Sequence, residues 1–268
     1  MSSPAESPDE VKALLKSLAA TERLLVALDF DGTLSALTDR PMESRMLPEA
    51  RQALDALIAT PQTAVALVSG RTLHDLEIIS EHDDASSIHL AGSHGAEFWH
   101  PGEGRTPREF SEEEAADQAL RDDVRARAED TVAEFEGAWI EPKEFGIGLH
   151  TRLATPTDAA EATRRIENLL SECAPSWRKR TGHNILEYAY RHEGKDTAIA
   201  ALRTRLGATA VLFAGDDVTD EDALASLESA DLGVRVGDGD THARVRVPDA
   251  AALSHVLLTL AEIRSASD

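Results

Sequence analysis

The sequence predicts an α/β protein whose parallel sheet is interrupted by a second, smaller domain. Two observations support this class. Short apolar runs alternate with helical patterns at both ends of the 268-residue chain, which is typical of a parallel sheet with right-handed crossovers. The middle of the chain is more charged and has strand patterns of its own. We therefore predict a Rossmann-like three-layer core built from residues 1–102 and 188–268, with an inserted α+β cap domain over residues 103–187.

The first part of the core contains three predicted strands. An amphipathic helix near Pro8 to Ala20 precedes the run Leu24–Leu28, which is continuously apolar, as expected of a strand buried on both faces. Pro48 then begins a helical pattern. Two further strands are predicted at Ala64–Val68 and Ile88–Gly92. In the second part of the core, a helix begins near Lys195, and strands are predicted at Ala210–Ala214 and Leu232–Val236.

The inserted domain follows the turn-like segment Pro101-Gly102-Glu103-Gly104. A charged helix is predicted from about Ser111 to Glu136, and a second helix around Ala159 to Leu170. Strands are predicted at Trp139–Glu141, Gly146–His150, Trp177–Lys179 and Ile185–Tyr190. The inserted domain is expected to join the core through short linkers on both sides, as a lid joins a catalytic core.

Composition and charge limit the possible partners. The chain carries 49 Asp and Glu against 27 Lys and Arg, a formal net charge of −22, which repels polyanions, so we expect no nucleic-acid partner. The single cysteine, Cys173, excludes an intramolecular disulfide and fits a reducing compartment. The sequence has neither a signal-peptide pattern at its start nor a membrane-spanning apolar run. We expect a soluble, cytoplasmic protein with no membrane partner, and a monomer is favoured.

Polar clusters follow four of the predicted strands, and the carboxyl ends of parallel strands meet at one edge of a sheet. These clusters are Asp29 with Asp31, Ser69 with Arg71, Gly92-Ser93-His94-Gly95, and Asp216 with Asp217 and Asp220. Several carboxylates at one edge repel each other unless a cation lies between them. Magnesium, which binds through one or two carboxylates, waters and substrate phosphate, fits such a site best.

The order of these motifs resembles the haloacid dehalogenase superfamily of phosphatases. The resemblance rests on Asp29-Phe30-Asp31-Gly32-Thr33, Ser69, Lys195 and Gly215-Asp216-Asp217-Val218-Thr219-Asp220, and the insertion after the third strand is where that superfamily has its C2-type caps. Finer features look like the trehalose-6-phosphate phosphatases: Ser69-Gly70-Arg71, Gly92-Ser93-His94-Gly95-Ala96-Glu97, Glu141-Pro142-Lys143, His150-Thr151-Arg152 and Leu186-Glu187. One departure is Asp196, because that family usually has glycine after the motif lysine.

The resemblance and the chemistry of phosphoryl transfer together imply roles for the core residues. We expect Asp29 to be the nucleophile and Asp31 the general acid and base. Magnesium would be held by Asp29, Asp216 and the backbone carbonyl of Asp31. The remaining expectations are that Asp217 or Asp220 orients metal-bound water, and that Ser69, Arg71 and Lys195 bind phosphoryl oxygens.

The sugar is expected to be recognised largely by the inserted domain. Glu141 and Lys143 are two residues apart on a predicted strand and so share a face. On their own they indicate an exposed surface pair, whereas the resemblance assigns sugar binding to Glu141, Lys143 and Glu187, and also to His94. Strand and loop spacing places His89, His94 and His100 on no common face, so we expect no histidine metal site.

The sequence predicts a magnesium-dependent phosphatase acting on trehalose 6-phosphate, a small-molecule sugar phosphate. Two alternatives remain open at this point. One is a phosphatase for another sugar phosphate, such as sucrose 6-phosphate or a mannosyl phosphoester. The other is a non-catalytic sugar-phosphate-binding or regulatory module, which would have no need of a nucleophile.

Overall fold

The computed structural model describes residues 4–5, 7–107, 112–182, 184–191 and 193–266, with the backbone alone at 112–114. The chain forms two compact units, the core Met1–Thr106 with Glu193–Asp268, and the inserted domain Pro107–His192. The predicted α/β class with a mostly parallel sheet is confirmed. Along the chain, both boundaries between the units lie a few residues after the predicted ones at 103 and 187. The first is later because a strand at Gly104–Arg105 pairs within the core sheet, and the second because the last inserted strand continues to Ala189.

The core is built on an eight-stranded sheet, as counted over the described residues. Its strands are β1 (Leu24–Leu28), β2 (Thr63–Val68), β3 (Ile88–Gly92), β4 (Glu97–His100), β5 (Gly104–Arg105), β10 (Ala210–Gly215), β11 (Leu232–Val236) and β12 (Val245–Val247); the inserted domain supplies β6 to β9. They lie in the order β12-β11-β10-β1-β2-β3-β4-β5, and all neighbours are parallel except β3–β4 and β4–β5. Strands β1 and β10 are therefore adjacent at the centre.

Helices cover both faces of this sheet. They are α1 (Pro8–Ala19), α2 (Pro48–Ile58), α3 (Leu73–Ile79), α6 (Lys195–Leu206), α7 (Glu221–Ser226) and α8 (Ala250–Ser265), with α4 and α5 in the inserted domain. Alternate residues of β1 belong to different apolar clusters: Leu24 and Val26 join the cluster that includes α1, α2 and α8, while Leu25 joins that of α6 and α7. Burial on both faces explains why this strand is apolar throughout.

Over its described residues, the inserted domain has one four-stranded antiparallel sheet and two helices. The helices are α4 (Glu112–Val132) and α5 (Pro156–Cys173), and the strands are β6 (Trp139–Lys143), β7 (Gly146–His150), β8 (Arg178–Gly182) and β9 (Ile185–Ala189), in the order β6-β7-β9-β8. Ser111, expected near the start of the first helix, lies outside the described residues. Because side chains alternate along a strand, one sheet face carries the buried residues Ile140, Leu149 and Leu186. The opposite face carries Glu141, Gly148 and Glu187.

No helix among the described residues is both long enough and apolar enough to cross a membrane.

Candidate active site

Three charged residues meet at the carboxyl end of the central strands. Asp29 follows β1, Lys195 begins α6, and Asp220 lies in a short 3₁₀ turn after β10. The Lys195 ammonium lies 2.7 Å from Asp29 Oδ1 and 2.6 Å from Asp220 Oδ1. All three residues are buried. Since a buried charge is tolerated only when it is paired, these contacts hold the three side chains in place.

Asp220 also holds the loop that follows β10. Its Oδ2 accepts hydrogen bonds from the backbone N–H groups of Asp216 and Asp217, at 3.1 and 3.0 Å. Gly215 allows this close approach, because a Cβ there would lie 2.3 Å from the Asp220 carboxylate carbon. Asp217 instead turns its own carboxylate to the backbone N–H of Val218, 2.7 Å away. Of the two candidates Asp217 and Asp220, the structure brings Asp220 into contact with Lys195.

The electrostatics of this cluster favour a cation. Burial, with Asp220 and Asp216 nearby, raises the pKa of Asp29 well above its usual value despite the attraction of Lys195. Burial and the charge of Asp220 likewise raise the pKa of Asp216 to about 6. For Lys195, burial acts to lower the pKa, but Asp220 and Asp29 outweigh it, so its pKa is raised. Burial, together with the neighbouring carboxylates, therefore disfavours the charged forms of Asp29 and Asp216 even with the Lys195 ammonium beside them.

A divalent cation fits this donor set. One carboxylate oxygen each from Asp29, Asp216 and Asp220 lies within 4.8 Å of the others. With three carboxylates and one ammonium ionised, the cluster holds two uncompensated negative charges, which one divalent cation would balance. Both Asp220 oxygens already have donors, so Asp29 and Asp216 are better placed as direct ligands.

The turn after β1 keeps Asp216 in position. Thr33 Oγ1 donates a hydrogen bond of 3.1 Å to Asp216 Oδ1. Gly32 has a φ of +75°, and a Cβ at this position would lie 2.0 Å from Asp216 Oδ2. A side chain there would therefore displace the carboxylate as well as strain the backbone.

Asp31 is held by Arg71, which was expected to bind phosphate. The guanidinium donates two hydrogen bonds to the Asp31 carboxylate, from Nε at 2.5 Å and from Nη2 at 2.7 Å. Such a bidentate pair fixes the direction of a carboxylate. The contacts described for Arg71 thus include Asp31, and its expected contact with phosphate stays a prediction.

A strained turn supports the loop that carries Ser69. Ser93 and His94 have φ values of 49° and 58°, which are uncommon for residues other than glycine. Their backbone N–H groups donate to the carbonyls of Arg71 and Ser69, at 2.6 and 2.9 Å. The His94 ring lies against Gly70, where a Cβ would be 2.7 Å from it. His94 is therefore beside the Ser69 loop, as its place after β3 suggested.

Glu97 stabilises this turn; it ends the segment Gly92–Glu97 that carries the resemblance, but the sequence assigned it no role. Its Oε2 accepts hydrogen bonds from Ser93 Oγ at 2.7 Å and from the backbone N–H of Leu73 at 3.1 Å. It therefore ties the strained turn to the start of α3. A single sequence does not show this role, because one of the two donors, the backbone N–H of Leu73, lies 24 residues earlier in the chain.

The inserted domain has its own polar cluster, on the sheet face away from its buried residues. Lys143 Nζ lies 2.9 Å from Glu141 Oε2 and 3.3 Å from Glu187 Oε1. Gly148 lies directly opposite both Glu141 on β6 and Glu187 on β9. With no side chain at Gly148, Lys143 can extend across β7 to reach both carboxylates. The structure therefore brings together the three residues that the sequence proposed for sugar binding.

Comparison with known proteins identifies the family. The profile described as trehalose-phosphatase matches residues 27–249, which includes both segments of the core and the insertion. The chain belongs to the trehalose-phosphatase family. It is 31% identical over 240 residues to an uncharacterized glycosyl hydrolase of Mycobacterium tuberculosis, a match that covers 85% of this chain and 17% of that protein.

Two further comparisons agree with membership of the trehalose-phosphatase family. A bifunctional trehalose-6-phosphate synthase/phosphatase of Thermoproteus tenax is 30% identical over 251 residues, covering 92% of this chain. The chain spans 33% of that protein's length, so these relatives are much longer. The solved structure of the C-terminal domain of the trehalose-6-phosphate phosphatase of C. albicans superposes with a TM-score of 0.80 over 97% of this chain and 98% of that one, at 19% identity. That likeness establishes that this chain has the same fold as that domain.

Two expectations from the sequence can be compared with the structure. Asp196 lies in the first turn of α6, where a carboxylate interacts favourably with the helix dipole. The expectation that His89, His94 and His100 share no face is wrong for two of them: Nδ1 of His89 and Nδ1 of His100 are 3.0 Å apart. This distance is explained by a hydrogen bond between the two rings, one donating and one accepting.

Proposed function

We propose that this chain hydrolyses trehalose 6-phosphate to trehalose and phosphate with the help of Mg²⁺. Its membership of the trehalose-phosphatase family and the names of its relatives support the reaction class. The observation that carries the proposal is the buried contact of Lys195 with Asp29 and Asp220 beside Asp216. Such an arrangement supplies a nucleophile, a phosphate-binding cation and a place for a metal ion at one edge of the sheet.

In the first step, a carboxylate oxygen of Asp29 forms a bond to phosphorus as the bond from phosphorus to the sugar oxygen breaks. Asp31 gives its proton to the departing oxygen. Water then transfers a proton to Asp31 and attacks phosphorus, which releases phosphate and restores the Asp29 carboxylate. Arg71 assists by fixing the direction of the Asp31 carboxylate, so we assign it a positioning role.

The other core residues bind and neutralise the phosphoryl group. Lys195 and the hydroxyl of Ser69 are proposed to contact its oxygens, and both residues are buried at the site. Asp29, Asp216 and the backbone carbonyl of Asp31 would hold Mg²⁺, with Asp220 orienting the site. Bound there, the metal ion would offset negative charge on the phosphoryl oxygens.

The sugar is proposed to be selected by the polar cluster Glu141, Lys143 and Glu187. A disaccharide presents many hydroxyl groups, and charged donors and acceptors form the stronger hydrogen bonds to them. The side chains are partly exposed, at 40%, 29% and 17% respectively, so a ligand can reach them. His94 is proposed as a further substrate contact, since its ring lies beside the Ser69 loop.

Release of phosphate from a panel of sugar phosphates tests this proposal. We expect trehalose 6-phosphate to be preferred by the wild type over sucrose 6-phosphate and a mannosyl phosphoester. Alanine at Glu141, Lys143 or Glu187 should lower kcat/KM for trehalose 6-phosphate by at least about tenfold, and that for p-nitrophenyl phosphate much less.

The control is Lys179→Ala, which removes a surface ion pair with Glu167 and lies on the other face of the same sheet. It should change neither activity. Equal losses on both substrates in the cluster variants would mean that they support folding. Preference for another sugar phosphate would overturn the assignment of the substrate. Absence of turnover on the whole panel would overturn the proposal that the chain is an enzyme.

A further inference from the structure

We propose that His150 is a positioning residue for sugar recognition, acting through the Glu141 carboxylate. The proposal rests on the function proposed above and adds to it a residue that the polar cluster of Glu141, Lys143 and Glu187 does not include. It is carried by the contacts of the His150 ring with two neighbours on β6, one of them aromatic and one charged.

The His150 ring is held flat against an aromatic neighbour. His150 ends β7 directly opposite Trp139 on β6. Their ring centroids are 4.7 Å apart, and the planes differ by 6°. The Arg152 guanidinium carbon lies 5.2 Å from the indole centroid, within the range of a cation–π contact. The imidazole is thus restricted in orientation, since rotating it would lose the stacked contact.

The edge of this ring is directed at Glu141. Nε2 of His150 lies 2.7 Å from Glu141 Oε2. An ionised carboxylate can only accept, so the imidazole donates the proton in this hydrogen bond. Lys143 Nζ donates to the same oxygen. A carboxylate has about four acceptor positions, so these two donors leave capacity for hydroxyl groups of a ligand.

Ionisation of Glu141 is consistent with this arrangement. Burial acts to raise its pKa, but the hydrogen bond from His150 and the charge of Lys143 outweigh burial and lower the pKa to about 2. Glu141 therefore stays charged near neutral pH and its direction is set by two donors. Lys143 is shared with Glu187, whereas the described hydrogen bond of the His150 ring goes to Glu141 alone. Loss of His150 should consequently remove one of the two donors that set the direction of Glu141, while leaving the Lys143–Glu187 pair.

Two substitutions separate the hydrogen bond from the stacking. His150→Phe keeps a flat ring over Trp139 but has no donor. His150→Gln can place an amide N–H near the position of Nε2 but lacks the ring. We expect His150→Phe to lower kcat/KM for trehalose 6-phosphate about tenfold, mainly by raising KM, and His150→Gln to retain most of the activity. Neither should affect p-nitrophenyl phosphate, and Lys179→Gln serves as the control on the opposite face.

A double-mutant cycle decides whether His150 acts through Glu141. If it does, His150→Phe in a Glu141→Ala background should cause less than about a twofold further loss. A multiplied loss in the double variant would overturn the proposal, as would His150→Phe activity equal to that of the wild type. Loss of p-nitrophenyl phosphate turnover together with a lower unfolding midpoint would show a structural role instead. If the wild type prefers another sugar phosphate, the proposed substrate is wrong. The role of His150 is then tested on that sugar phosphate with the same four proteins, namely the wild type, the two single variants and the double variant.

Discussion

Asp220 offers a sharp test of how the site is held, through the substitution Asp220→Asn. The carboxylate has Lys195 on one oxygen and two backbone N–H groups on the other. Asparagine has nearly the same shape but only one acceptor oxygen. Its NH₂ group must face either the Lys195 ammonium or the two backbone N–H groups, so in either orientation two donors oppose each other.

The expected cost in stability follows from these contacts. Removing one partner of a buried ion pair costs about 3–5 kcal/mol when the other is left without compensation. Lys195 keeps Asp29 at 2.7 Å, so we expect the lower end, about 3 kcal/mol. In the folded variant, kcat should also fall by about 100-fold or more, because Lys195 and the loop that carries Asp216 both lose their orientation.

Asp231→Asn provides a matched control within the core. Asp231 is also fully buried, is paired with Arg203, and accepts backbone N–H groups from Val211 and Glu228. It should lose similar stability in urea denaturation, yet retain kcat within about twofold under conditions where both variants are folded. The reasoning would be refuted if Asp220→Asn kept wild-type stability, or if both variants, once folded, kept full activity on p-nitrophenyl phosphate.

Three further predictions concern the metal, the turn after β1 and acid stability. Chelation should abolish activity and Mg²⁺ should restore it, with Ca²⁺ a poor substitute because of its longer and looser coordination; activity that survives thorough chelation would contradict this. Gly32→Ala should lower the apparent affinity for Mg²⁺ by at least about tenfold, measured from the Mg²⁺ dependence of activity, because the new Cβ would displace Asp216. An unchanged affinity would count against the assigned ligands. The pKa of Glu141 is depressed to about 2, so its contribution is present above pH 4.5 and is lost as the pH falls from there towards 2. Because this side chain is 40% exposed, we expect it to contribute only about 1 kcal/mol to the free energy of unfolding. The contribution is measured by comparing how the free energy of unfolding depends on pH in the wild type and in Glu141→Gln, and identical dependences would argue against it.

The central strands were predictable because burial on both faces makes every residue of such a strand apolar. Leu24–Leu28 is apolar throughout since both faces pack against helices, and the motif after it could be placed at the sheet edge on that basis. The antiparallel strands β4 and β5 and the edge strand β12 were missed. They are short, and β5 and β12 have only two and three residues, too few to show a periodic pattern.

Within the site, sequence position alone could not assign partners. Asp217 and Asp220 were equivalent candidates until the 3₁₀ turn at Val218–Asp220 directed one carboxylate to Lys195 and left the other capping that turn. Arg71 was expected on phosphate, and its pairing with Asp31 depends on two segments meeting at the sheet edge. Glu97 and His150 were quoted in motifs but given no role, because the contacts of Glu97 with Leu73 and of His150 with Glu141 join different segments of the chain.

The proposed hydrolysis depends most directly on Asp29 forming a bond to phosphorus. Wild-type protein mixed with trehalose 6-phosphate and Mg²⁺, quenched in acid during turnover and digested, should yield a peptide containing Asp29 that carries one phosphoryl group. Asp29→Asn treated in the same way should yield neither the modified peptide nor free trehalose. A phosphoryl group on a different residue, or release of trehalose by Asp29→Asn at the wild-type rate, would contradict the mechanism.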